Sequence, residues 1–162
     1  VGRIILFLYA LFPYKRVRSE HFQHHRTPGK RQDPDYHDGQ HTGFLAWYGR
    51  FMLHYLTIWQ VLGMALIFNA LQYVLGIPLA AVLAFWAGPA LLSTLQLFAF
   101  GTYLTHREPP GGYTNRYHAQ SSGYPLWLSF LTCYHFGYHV EHHQYPKTPW
   151  WQLPSQRFAE RT

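Results

Sequence analysis

Residues 51–106 read FMLHYLTIWQVLGMALIFNALQYVLGIPLAAVLAFWAGPALLSTLQLFAFGTYLTH and contain no Lys, Arg, Asp or Glu. Helices of a water-soluble domain keep a polar face, so a charge-free run of this length argues against one. A bilayer span takes about 20 apolar residues, and the stretch has room for two spans and a turn. Gly76-Ile77-Pro78 supplies the break. It divides a first span over roughly Ile58–Leu75 from a second over roughly Leu79–Tyr103, with Gly88-Pro89 predicting a kink in the second. Before them, Phe44–Thr57 reads as an interfacial helix, its Trp47, Tyr48 and Tyr55, with Trp59 beyond, fitting an aromatic belt. The fold class expected is therefore all-α: an integral membrane helical domain built on a central transmembrane hairpin.

A hairpin returns the chain to the side it left. Residues before Phe51 and after Tyr103 then share one face of the membrane. Lys15, Arg16, Arg18, Lys30, Arg31 and Arg107 flank the apolar run, and such residues mark the cytoplasmic side. The lipid bilayer is the first partner expected.

Composition narrows the classes further. Hydrophobic residues make up 48% and aromatic residues 19% of the 162 residues, which excludes a disordered chain. A single cysteine, Cys133, excludes an intramolecular disulfide framework and a cysteine-rich zinc site. The net charge is +6, but its carriers flank apolar segments and suit anionic headgroups better than nucleic acid. No glycine-rich nucleotide loop occurs. The chain opens on Val1 and runs at once into Ile4-Ile5-Leu6-Phe7-Leu8. That start reads as the inside of an interrupted segment, so a fragment is expected.

Histidine is the unusual residue, with 12 in the chain. His21, His24 and His25 form H-x2-H-H, and His139, His142 and His143 repeat it. Helical residues three and four apart share a face, so each triplet is expected to converge on one point. His135 extends the second stripe by one turn. Imidazole is a neutral ligand suited to transition metals, and two such clusters on one membrane face suit a metal pair. No E-x-x-H repeat occurs, which disfavours a carboxylate-bridged soluble bundle. Glu141, Asp33 and His37 are expected around the ligands, the carboxylates accepting hydrogen bonds from metal-bound imidazoles, and His106 and His118 are expected either among the ligands or at their rim. The tail PKTPWWQLP at 146–154 reads as extended, anchored by Trp150 and Trp151.

Four strings carry a resemblance: HFQHHRTPGK at 21–30, DPDYH at 33–37, LQLFAFGTYLTHR at 95–107 and LTCYHFGYHVEHHQYPKTPWWQLP at 131–154. Together they resemble the bacterial and cyanobacterial beta-carotene ketolases of the membrane fatty-acid desaturase-like superfamily. The resemblance implies that residues 1–162 are a partial desaturase-like domain. It implies two non-haem iron ions held by His21, His24, His25, His139, His142 and His143, with His135. It also implies molecular oxygen, a separate electron donor such as ferredoxin with its reductase, and beta-carotene or related carotenoids as substrate. The reaction implied is oxidation of a ring methylene to a ketone. Two departures stand out. The family's earlier H-x3-H box is not among these residues, and Tyr117 stands where relatives carry histidine, with His118 one place later. A carotenoid or fatty-acyl hydroxylase or desaturase with the same metal core is the alternative enzyme. A catalytically inactive metal-binding membrane fragment is the alternative outside enzymes.

Overall fold

The computed structural model describes residues 2–159, and among them there is no β-strand. Ten α-helical segments follow in order: α1 Gly2–Ala10, α2 Tyr14–Arg26, α3 Phe44–Tyr55, α4 Ile58–Asn69, α5 Leu79–Val82, α6 Gly88–Leu97, α7 Leu104–His106, α8 Leu126–Cys133, α9 His139–Gln144 and α10 Leu153–Ala159. π-helical turns over Ala70–Val74, Leu83–Ala87 and Phe98–Tyr103 extend α4 and join α5 to α6 and α6 to α7.

One continuous helix, Leu79–His106, is long and apolar enough to cross a membrane. Its most apolar stretch is only 11% buried. Helices α3 and α4, the latter with its π-helical turn, pass the same test as a pair bent by 92°. The bend has a local cause. Leu56 and Thr57 are extended, and the Thr57 hydroxyl accepts from Gln60 N–H at 3.1 Å, capping α4 at a new angle. Further on, Pro89 has no N–H to give the preceding turn. A π-helical turn precedes α6 at this point, and helical structure continues through Pro89.

The aromatic core lies between α3 and this long helix. Phe98 is 0% exposed and its ring meets Phe44, Trp47, Tyr48 and Phe51 at centroid distances of 5.3–5.9 Å. Trp47 is 1% exposed, and its indole N–H donates to the Asp35 carbonyl at 2.9 Å. Trp47 is thus a core residue and not part of an exposed aromatic belt; Trp59, 79% exposed, keeps the exposure expected of one. Helix α1 is tied to α4 and to the long helix: Gln60 Nε2 donates to the Ala10 carbonyl at 2.7 Å, and the Tyr9 hydroxyl to the Ala90 carbonyl at 3.3 Å.

The tail differs from its sequence reading. Trp150–Gln152 form a 3₁₀ turn and α10 follows at Leu153. Pro154 sits in the first turn of α10, where a missing N–H costs nothing. Trp150 does anchor the tail, its ring meeting those of Phe130, Tyr134 and His135, whereas Trp151 is exposed and the rest is held by buried Leu153 and by Arg157.

Removing the Phe98 ring empties the centre of this core. Phe98→Ala is expected to lower stability by about 3–5 kcal/mol, whereas Phe85→Ala, at a position 85% exposed, leaves it nearly unchanged. Thermal unfolding of the two variants in one detergent checks this.

Candidate metal centre

Helices α2 and α9 place their histidines face to face, but not as two separate triplets. Nitrogens of His24, His106, His139 and His143 form one group, all four residues buried. Nitrogens of His21, His25 and His142 form a second, half-buried group. In each group the ligand atoms lie within 4.8 Å of one another. Each H-x2-H-H motif is therefore divided between the two groups. Helical geometry explains the division. Residues four apart share a face whereas neighbours diverge by about 100°, so His21 pairs with His25 and His139 with His143. His24 and His142 are left to cross to the opposite group. The groups adjoin: the His25 and His143 ring centroids are 4.5 Å apart.

The donor set fits metal ions. Asp33 Oδ1 lies 2.8 Å from His24 Nδ1, and the His118 carbonyl lies 2.8 Å from His106 Nδ1. Both acceptors need the proton on Nδ1, which leaves Nε2 of each neutral ring with a bare lone pair. Those lone pairs aim at other imidazole nitrogens. His24 Nε2 is 3.1 Å from His143 Nε2, and His106 Nε2 is 2.7 Å from His139 Nε2. In the second group His25 Nε2 lies 3.1 Å from His21 Nε2 and 3.0 Å from His142 Nε2. A cation between such lone pairs turns their mutual repulsion into coordination. Protons are kept away. Burial first, then the neighbouring histidines, lowers the pKa of His25 to about 4 and of His142 to about 3. The same causes lower His21, His139 and His143. His24 is the exception: burial opposes its charge, but the Asp33 hydrogen bond and the charges of Asp35 and Asp33 outweigh it and raise its pKa.

Asp33 is the main supporting carboxylate. It is buried and also accepts from Gly29 N–H at 2.8 Å and Asp35 N–H at 2.9 Å. Gly29 has φ +68°, and a Cβ there would fall 2.5 Å from the His118 side chain, so only glycine serves this turn. Asp35 accepts from the Tyr55 hydroxyl at 2.5 Å, joining the loop to α3.

Five other candidate residues take places of their own. His135 lies outside both groups: α8 ends at Cys133, Tyr134 and His135 have φ of 45° and 65°, and the His135 ring turns toward Ser129, 3.2 Å away, and Trp150. His106, expected either among the ligands or at their rim, lies in the buried group. Glu141 touches no imidazole; it accepts from Ser121 Oγ and Arg157 Nε, each at 2.5 Å. His37 stacks on Tyr36 and meets Trp47 edge-on. His118 contributes its backbone carbonyl, while its ring stacks on Tyr113.

Arg157 escaped the sequence reading. Its guanidinium also donates to the Ser122 carbonyl at 2.6 Å and lies 4.2 Å from the Tyr138 ring centroid. With Glu141 it clamps α10 onto the histidine-bearing α9. A lone cation in the tail carries no local signal of that role. His106 did have one, as a histidine closing an apolar helix.

Residues 55–161 match the fatty acid desaturase family. The chain belongs to that family. Among curated relatives, the beta-carotene 4-ketolase of Protosiphon botryoides is 40% identical over 169 residues, covering 100% of this chain and 43% of its own length. The beta-carotene ketolase of Paracoccus sp. (strain PC1) is 40% identical over 158 residues, covering 97% of this chain and 64% of its own. The zeaxanthin 4-ketolase of Chlamydomonas reinhardtii is 40% identical over 165 residues, covering 99% and 36%. This desaturase-family chain thus spans 36–64% of the length of these relatives. No solved structure matches it.

Two outcomes are expected of the centre. Asp33→Asn removes the charge behind His24 and weakens metal binding about 10–100-fold, as read by competition with a chelator. The metal-free protein loses stability in acid. The unfolded histidines protonate from pH 6.5 downward, while folded His25 and His142 resist until about 4 and about 3. The unfolded state therefore binds more protons in that window, and stability present above pH 6.5 falls as pH drops toward 4. Melting curves of chelator-treated protein between these pH values measure the fall.

Proposed function

We propose that this chain carries the catalytic core of a membrane carotenoid ketolase. It would oxidise a ring methylene of beta-carotene or a related carotenoid to a ketone, using molecular oxygen. The observation that carries this reading is the joining of two adjacent histidine groups in one chain to relatives named as beta-carotene and zeaxanthin ketolases.

The groups would hold two non-haem iron ions, one at His24, His106, His139 and His143 and one at His21, His25 and His142. When bound, iron supplies the oxygen-activating redox chemistry that acid–base side chains lack. The histidines present neutral nitrogen, and Asp33 and the His118 carbonyl hold two rings in the required tautomer. The overall chemistry balances as two hydroxylations at ring carbon 4. Each converts a C–H to a C–OH, consumes one dioxygen with two electrons and two protons, and releases one water. The resulting geminal diol loses water to give the ketone. The electrons require a separate redox protein, such as ferredoxin with its reductase.

The substrate is apolar, and so are the surroundings. Leu79–His106 would span the bilayer, and Ile58–Val74 would form the other arm of a hairpin behind the interfacial α3. Exposed Leu62, Leu66, Leu75, Phe85, Leu91 and Leu92 would face lipid. Lys15, Arg16, Arg18, Lys30, Arg31 and Arg107 support a cytoplasmic position for the histidines.

The test is product analysis in beta-carotene-accumulating cells that express the complete gene product carrying these residues. Ring ketones are expected, and His142→Ala is expected to abolish them while membrane insertion persists. Hydroxylated carotenoids or unsaturated acyl chains in place of ketones would move the chain to another branch of the family. Unchanged ketone formation by His142→Ala would contradict the metal assignment.

A further inference from the structure

Phe136 stands between the long helix and both histidine groups. Its ring centroid lies 6.2 Å from that of His139 and 5.8 Å from that of His142. Those two histidines belong to different groups, so one phenyl ring spans the junction. Its other side meets Gly101 in the π-helical turn Phe98–Tyr103: a Cβ on Gly101 would lie 3.3 Å from Phe136 Cδ1. The absence of a side chain there lets the ring sit deep. Among the described residues, one other non-histidine ring stacks on these seven imidazoles. It is Tyr117, 5.6 Å from His143 on the loop side, where Arg116 holds its hydroxyl.

The position has a consequence for an apolar substrate. A lipid-dissolved polyene approaches from the helices, not from the polar loops that carry Asp33 and Asp35. On that approach Phe136 is the apolar surface shared by the two groups. We propose that Phe136, seated on Gly101, is a specificity-determining residue that packs against the terminal ring of the polyene and sets which ring carbon stops at the metal groups. The proposal rests on the ketolase reading. Its physical basis is shape selection: gaining or losing about one methylene of apolar contact changes discrimination about 10–200-fold, and the phenyl ring's contact differs between one seating of the terminal ring and the next.

The experiment compares wild type, Phe136→Ala, Phe136→Leu and Gly101→Ala in the complete gene product, reconstituted in lipid nanodiscs. Three quantities are read: metal content, the shift in beta-carotene absorption on binding to zinc-loaded protein without turnover, and the distribution of oxygenated products of the iron-loaded form. Phe136→Ala is expected to keep its metal, bind the polyene about 10-fold more weakly and move the ratio of oxidised ring positions about 10-fold. Phe136→Leu is expected to restore part of both. Gly101→Ala is expected to shift the product ratio alone, because its Cβ pushes the phenyl ring toward the imidazoles. Unchanged polyene affinity and product ratio in both Phe136 variants would overturn the proposal. So would loss of metal from both, which makes Phe136 part of the site's packing. If wild type itself neither binds the polyene nor oxygenates it, the ketolase reading fails first and the proposal with it.

Discussion

Imidazole nitrogens that turn lone pairs toward one another repel unless a positive charge lies between them. In this protein seven rings bring their nitrogens to within about 3 Å of one another. Most of the fold can be read as the means of holding that arrangement. Asp33 and the His118 carbonyl fix protons on the outer nitrogens of two rings. Burial keeps the others from protonating. The glycine at 29 lets a loop pass close enough to bring Asp33 to His24.

The scaffold around the centre is asymmetric. On one side, α3 and the long helix form an aromatic core around Phe98 and Trp47, and Trp47 reaches the loop of Asp33 and Asp35 through a hydrogen bond. On the other, α10 returns Arg157 to Glu141 and fixes α9. The long helix supplies His106 from its last turn, after a π-helical segment that shifts the register of the residues beyond it. π-helical turns in long helices often accompany functional sites. Here one directly precedes the α7 turn that ends on His106 and presents Gly101 to Phe136.

Much of this was legible in the sequence, and the reasons for the rest are physical. The charge-free run at 51–106 marks the apolar helices because charge is costly wherever a helix has no polar face. The doubled H-x2-H-H marks the histidines that cluster because helical spacing is regular. Spacing alone does not separate neighbours: adjacent histidines diverge around the helix, so each motif serves both groups. His135 fits the stripe only if the helix continues, and the left-handed residues at 134 and 135 that end it have no glycine to announce them. Trp47 resembles a belt residue by type, yet its place depends on Phe98, far along the chain. Arg157 and Glu141 meet only through the return of the tail, a tertiary contact without local pattern.

The central claim is that the histidines form two adjoining metal sites with exchanged ligands. Anomalous scattering at the iron edge, from crystals of the iron-loaded complete protein, tests it most directly. The account predicts two peaks, one within bonding distance of His24, His106, His139 and His143, the other beside His21, His25 and His142. A single peak, or two peaks each served by one unbroken H-x2-H-H motif, would contradict it.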